Sequence, residues 1–208
     1  MLLFNMSKNK KYIVVDKVEA VRKFGIVLDC HNTIVDSNIA WTKAFMDYVD
    51  QKYENDIMLD LFGRRLKRRF IAQKYGVDYD SVEKKSYTYS KLNSKIFSLI
   101  QIAYENNIPL FVVSNAPLKN VVEDLKNVHV ISFFKRIYAK ENGGKQNLRI
   151  FDCILSDYDL DFLIFIGNEE FDDNILHPYV LSVAITDFLL QRFSIIKNMV
   201  VNDMGRIE

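Results

Sequence analysis

The sequence predicts an α/β fold, a doubly wound parallel sheet with a small all-helical subdomain inserted into it. Three observations carry that expectation. Short, nearly unbroken apolar runs recur along the chain, as in strands covered on both faces of a parallel sheet. Helix-like segments separate these runs, and alternating β and α elements imply double winding, with ligands at the strand C-terminal ends. The third is uneven spacing: about eighty residues part the first two clear runs, far more than one crossover helix requires.

Taken in chain order, residues 1–20 read as a short extra element with no assigned place. Phe24-Gly-Ile-Val-Leu-Asp29 is the first strand. Residues 38–90 are helical and amphipathic, with Met58, Phe62, Leu66 and Phe70 recurring every four positions as the expected inward face. The chain therefore divides into an α/β core, residues 1–37 and 91–208, and a helical insertion, residues 38–90. Within the insertion, the basic run Arg64–Arg69 reads as the solvated face of a helix. The competing reading sets part of that run over the ligand crevice, where it attracts an anionic substrate. Asn93–Asn106 is a helix leading to a second strand, Leu110–Ser114, and Leu118–Lys126 is the helix after it. His129–Phe133 is a weaker strand, and Phe162–Gly167 and Leu181–Thr186 complete the sheet.

Composition bounds the function. A chain of 208 residues with 49% hydrophobic and 26% charged residues is an ordinary globular protein with one substantial core. Three prolines and seven glycines exclude a long flexible linker. A formal charge of +1 gives no support to a general affinity for nucleic acid or an anionic membrane. Two cysteines, Cys30 and Cys153, are too few for a disulfide scaffold or a structural zinc site. The apolar start of the chain turns charged by Lys8, too early for a signal peptide, and no later stretch approaches a membrane span. The expectation is a cytoplasmic protein, with Trp41 and the tyrosines as candidates for an exposed patch.

Chemistry gathers at the predicted strand ends. The first strand ends in Asp29-Cys-His-Asn-Thr33, a carboxylate followed by a turn and a hydroxyl; the second ends in Ser114-Asn115. A Gly143-Gly144-Lys145 loop supplies a cation, and Gly167-Asn-Glu-Glu-Phe-Asp-Asp173 follows the fourth strand with four acidic side chains. In a doubly wound sheet these ends converge, placing a nucleophile, anion-holding groups, a cation and a metal-binding cluster in one crevice.

These residues resemble the four motifs of the haloacid dehalogenase-like hydrolases over about residues 24–186. Asp29, His31 and Thr33 match Asp-x-Asp-x-Thr, and Ser114-Asn115 matches the second motif. Lys145, ahead of Ile150-Phe151, matches the third; Gly167, Asn168 and Asp172 match Gly-Asp-x-x-x-Asp. Lys140 competes with Lys145 for the third. The resemblance implies hydrolysis of a small phosphorylated metabolite through an aspartyl-phosphate on Asp29. Ser114, Asn115 and Lys145 would hold the phosphoryl group, Thr33 would orient the Asp29 loop, and residues 38–90 would form a cap. Mg²⁺ would be held by Asp29, the His31 carbonyl, Asn168 and Asp172.

Two positions depart from the family pattern. His31 stands where phosphatases carry a second Asp, the proton donor to the leaving group, a part that imidazole can play. Asn168 stands for a metal-binding carboxylate, so Mg²⁺ should bind more weakly, with Asp172, Asp173 or Glu169 able to compensate. These departures keep two other functions open: a metal-independent 2-haloacid dehalogenase-like hydrolase, and a non-catalytic binding or regulatory protein on the same fold. Cys30 reads as a small buried side chain, because no arginine completes a Cys-x5-Arg phosphate loop. His129 and His177 read as structural or exposed.

Overall fold

The computed structural model describes residues 23–168 and 173–184. Five strands, β1 (Phe24–Leu28), β2 (Leu110–Val113), β3 (Phe134–Tyr138), β4 (Phe162–Gly167) and β5 (Val180–Ala184), form one parallel sheet in the order β3-β2-β1-β4-β5. The order reverses beside β1, between β2 and β4, so the topological switch point lies at the end of the first strand.

Alternation along the strands feeds two apolar layers. Ile26 and Leu28 of β1, Leu110 and Val112 of β2, and Ile164 and Ile166 of β4 face one side. There they meet Leu99 and Ile100 of α5 (Ser94–Glu105) and Val121 and Leu125 of α6 (Leu118–Asn127). Val27, Phe111, Val113, Leu163 and Phe165 face the other side and pack on Ile150, Phe151 and Ile154 of α7 (Arg149–Asp157). Gly25 permits the closest approach at the strand's start. A β-carbon there would lie 2.9 Å from Leu160 and 3.1 Å from Phe111.

Where the sequence placed a strand at His129–Phe133, the chain forms a single 3-10 turn, Ile131–Phe133, and β3 begins at Phe134. β3 is an edge strand with Lys135 and Arg136 exposed, so it lacks the unbroken apolar run that marks a central strand. The last strand begins at Val180, one residue before the expected start, and Ile185 and Thr186 lie outside the described residues.

Between β1 and α5 the chain forms four helices, α1 (Ser37–Met46), α2 (Glu54–Met58), α3 (Arg68–Lys74) and α4 (Tyr79–Tyr89). They enclose a core of their own, built on Trp41, Phe45, Ile57, Leu61, Ile71 and Val82. Of the expected inward stripe Leu66 packs against this core, whereas Met58, Phe62 and Phe70 are exposed. A four-residue repeat drifts about 40° per step, so these side chains would share one broad face only on an unbroken helix. The helix itself breaks. A π turn at Leu59–Gly63 is followed by residues 64–67 outside any helix, with Arg65 at φ 52°.

The basic run is accordingly not one solvated helix face. Arg68 is half-buried, its guanidinium 4.7 Å from the Trp41 ring centroid and its Nη2 donating to Ser37 Oγ at 3.2 Å. Trp41 is buried and stacks on Tyr79 at 5.5 Å, so it marks no surface patch.

Asp60, fully buried, ties the broken segment together by accepting from Arg64 Nη1 and Lys74 Nζ, each at 2.6 Å. Burial raises its carboxyl pKa, but Lys74 and Arg64 outweigh that and hold it below the ordinary value. Asp60→Asn should cost about 2 kcal/mol, the worth of a charge-assisted hydrogen bond discounted because both cations reach solvent. A folded-state pKa below the unfolded one means this stability is present above the unfolded value and is lost as pH falls through the folded value. Thermal melts of wild type and variant should therefore differ at pH 7, and the gap should close only as pH falls below the ordinary carboxylate range.

Candidate active site

The β1 ladder ends with the Asp29 N–H donating to the Ile166 carbonyl at 2.9 Å, which fixes the backbone of Asp29 beside the end of β4. Beyond it the chain turns on one acceptor: the Cys30 carbonyl takes the N–H groups of Thr33, Ile34 and Val35. Asn32 holds the turn at φ 58°, a left-handed conformation asparagine tolerates. Its Oδ1 accepts from Ser37 Oγ and from the Asn38 N–H, both at 2.9 Å, and so joins the turn to the first turn of α1.

Inside this frame Asp29, Thr33, Ser114, Lys145 and Asp173 are all buried. Lys145 Nζ lies 3.2 Å from Asp29 Oδ2 and donates a closer hydrogen bond to Asp173 Oδ1. Burial raises the Asp29 pKa above the usual carboxylate range; Lys145 pulls it down, and the neighbouring Asp173 pushes it further up. Burial opposes the charge of Lys145, but the two carboxylates outweigh it and raise the ammonium's pKa. The three side chains form one coupled unit in which the ammonium offsets two buried negative charges.

Two glycines with left-handed backbone, Gly143 at φ 93° and Gly144 at φ 61°, deliver Lys145. Its N–H donates to Asn115 Oδ1 at 2.9 Å, and a β-carbon at position 144 would lie 2.4 Å from that same oxygen. The amide oxygen of Asn115, expected to hold substrate, thus clamps the lysine loop. Ser114 Oγ accepts from the Ala116 N–H at 3.3 Å. Lys140 is exposed on a separate 3-10 turn, so Lys145 is the lysine the fold brings to Asp29.

Thr33 Oγ1 donates to Asn168 Oδ1 at 3.3 Å, linking the turn after β1 to the end of β4. His31 Nε2 lies 2.9 Å from Asp124 Oδ2, on α6. Cys30 is buried, and burial with the nearby Asp124 and Asp29 raises its thiol pKa far above normal, which excludes a thiolate nucleophile. Asp172, Glu169 and Glu170 lie outside the described residues. The acidic side chain that reaches the lysine is Asp173, packed so tightly on Gly167 that a β-carbon there would sit 2.1 Å from its Oδ2.

A crevice of about 380 Å³ opens between these strand ends and the helical layer, lined by Asn32, Asp36, Asn38, Ile39, Leu61, Phe62, Arg65 and Asn168. Hard oxygen donors of the kind Mg²⁺ takes are present in Asp29, the His31 carbonyl and Asn168. Among the described residues, no group of three or more carboxylate, imidazole or thiolate ligands gathers to hold a metal. The set fits a weakly held Mg²⁺ that would rest chiefly on the charge of Asp29.

The sheet order, the switch-point carboxylate and the helical insertion after β1 give the chain the fold of the haloacid dehalogenase-like hydrolases. A hydrolase from Streptococcus pneumoniae TIGR4 is similar at 16% identity and TM-score 0.60, over 84% of this chain and 98% of that one. A HAD family enzyme from Bacteroides thetaiotaomicron, in complex with magnesium and inorganic phosphate, is similar at 16% identity and TM-score 0.53, over 79% and 94%. A dehalogenase with an intermediate complex is similar at 11% identity and TM-score 0.59, over 80% and 87%. At such identities the likeness establishes the fold. No family model matches the chain, and no curated protein matches it in sequence. Among the described residues no helix is long and apolar enough to cross a membrane.

Proposed function

We propose that this protein is a phosphomonoester hydrolase that works through an aspartyl-phosphate on Asp29. The observation that supports it most directly is the buried Asp29 carboxylate within 3.2 Å of the Lys145 ammonium at the switch point of the sheet. In the first step a carboxylate oxygen of Asp29 bonds to phosphorus as the bond to the leaving oxygen breaks. His31 gives that oxygen a proton, and Lys145 with Ser114 steadies the phosphoryl oxygens. In the second step water attacks the phosphorus, His31 takes back a proton, and Asp29 is released. Mg²⁺, when bound to Asp29, the His31 carbonyl and Asn168, would offset the negative charge of the phosphoryl group. The magnesium and phosphate in the Bacteroides enzyme favour this chemistry. The helices of residues 38–90 would act as the cap, with the leaving group in the crevice beneath Ile39 and Phe62 and water excluded on closure.

Release of phosphate from p-nitrophenyl phosphate and from glycerol 2-phosphate, with Mg²⁺ and with chelator, tests the reading. No turnover of either by the wild type in Mg²⁺ would overturn it. The same assay checks the metal site. Asn168→Asp adds a carboxylate to the donor set and should tighten Mg²⁺ about tenfold or more, as calorimetry will read, since unit charges near a protein surface interact by roughly 4 kcal/mol at 4 Å before desolvation is subtracted.

One observation favours a second reading. Lys145 pairs with both Asp29 and Asp173 and so offsets part of their charge, an arrangement suited to attack on a 2-haloacid. Halide release from 2-chloropropionate in chelator, with no phosphatase activity, would select it.

A further inference from the structure

Helix α6 buries Val121, Asp124 and Leu125 along one face. A carboxylate in that stripe is costly to desolvate, and its position asks for an apolar side chain. Asp124 is 4% exposed, and its two oxygens have different partners. Ser90 Oγ donates to Oδ1 at 2.6 Å, and His31 Nε2 lies 2.9 Å from Oδ2. Ser90 stands where the chain returns from the helical layer to the core. The adjoining Lys91 carbonyl accepts from the Asp36 N–H at 3.0 Å, and Leu92 pairs with Val35.

We propose that Asp124 is a positioning residue for proton transfer: it orients His31 and so supplies, from α6, the carboxylate that position 31 lacks. The proposal rests on the hydrolytic reading of Asp29. An ionised carboxylate only accepts hydrogen bonds, so Nε2 carries the hydrogen in this pair and Nδ1 is the nitrogen left to serve the substrate. The donor form is the imidazolium, with hydrogen on both nitrogens: when the bond between phosphorus and the leaving oxygen breaks, its electron pair stays on that oxygen, which takes the proton from Nδ1. The imidazole ends neutral and still donates through Nε2 to Asp124. Through Ser90 the same carboxylate also registers the returning arm of the helical layer against α6.

The test compares two substrates with unequal need for a proton. p-Nitrophenyl phosphate loses a stable phenolate, whereas glycerol 2-phosphate loses an alkoxide. Asp124→Asn should lower kcat on glycerol 2-phosphate about 10- to 100-fold, the usual reach of a group that orients another, with less than about threefold change on p-nitrophenyl phosphate and KM little altered. His31→Ala should show the same selectivity, and Ser90→Ala should lower both rates by less than about threefold, in keeping with one lost neutral hydrogen bond. Equal loss on both substrates, or no loss on either, overturns the proposal. Nitrogen-15 spectra of the His31 ring supply a readout that needs no turnover. In its neutral form the wild-type ring should hold the Nε2–H tautomer and Asp124→Asn should release it; a neutral wild-type ring that carries its hydrogen on Nδ1 overturns the proposal even if the enzyme is active. A wild type inert on both substrates that keeps the Nε2–H tautomer would instead fault the hydrolytic reading and leave the orienting contact standing.

Discussion

Asp29→Asn should abolish phosphate release, lowering kcat by at least about 10⁴-fold, or roughly 5.4 kcal/mol of transition-state stabilisation. An amide cannot form the acyl-phosphate, and the adjacent Cys30 does not replace it, since it is buried with its thiol held protonated. The variant should nonetheless stay folded. Burial raises the Asp29 pKa, so the folded state holds that proton more tightly than the unfolded chain does. By linkage, stability then falls as pH rises from the unfolded towards the folded value, and keeping the charge ionised above that range works against folding. A neutral, nearly isosteric side chain removes that cost while Lys145 keeps Asp173 as its partner. A melting temperature at pH 7 equal to the wild type's or higher, beside lost turnover, is the expected pair of results. A collapse in stability would assign Asp29 a structural part.

Lys145→Met should do the reverse and strike the fold first. Removing the ammonium takes from Asp29 and Asp173, both buried, the cation they share, a loss of about 3–5 kcal/mol when one partner of a buried charge set is deleted. Chemical denaturation at pH 7 measures it. Acid should rescue the variant. Without Lys145 the Asp29 carboxyl pKa rises further, and protonation relieves the repulsion, so the gap to wild type should narrow between pH 7 and pH 5. The raised lysine pKa makes its contribution complete below the unfolded value, about 10.4, and lost only as pH climbs through the folded value. A gap that stays constant from pH 7 to pH 5 would contradict the coupled-unit account.

The central sheet was legible because its strands obey one rule: buried on both faces, β1, β2 and β4 are continuous apolar runs. β3 escaped that rule because an edge strand needs only half the burial, and its exposed Lys135 and Arg136 interrupt any apolar run. The helical layer was legible as helix but not in its packing. Met58, Phe62 and Phe70 have the spacing of one helix face, but the π turn and the break after Gly63 leave them exposed. At the site, Asp29 and Lys145 were recoverable because strand ends and glycine turns fix where the backbone goes. Asp173 was harder, since a loop of four acids gives no sign of which one turns inward. Asp124 was missed, though an acid beside Val121 and Leu125 in the apolar stripe of α6 was its signal. Its partner His31 lies far off in the chain, and only the fold joins them.

The parallel pairing of β1 has a kinetic consequence. Ile26 lies beside both Leu110 and Ile164, so neither edge of the middle strand can be satisfied until long stretches of chain have closed back on it. Such closures are entropically late events, whereas the contacts within residues 37–89 are local. Refolding followed by pulsed hydrogen exchange should protect amides of α1 and α4 before those of Ile26 and Val27. The nucleophile's surroundings would then mature last, and a half-folded chain would carry helices but no chemistry.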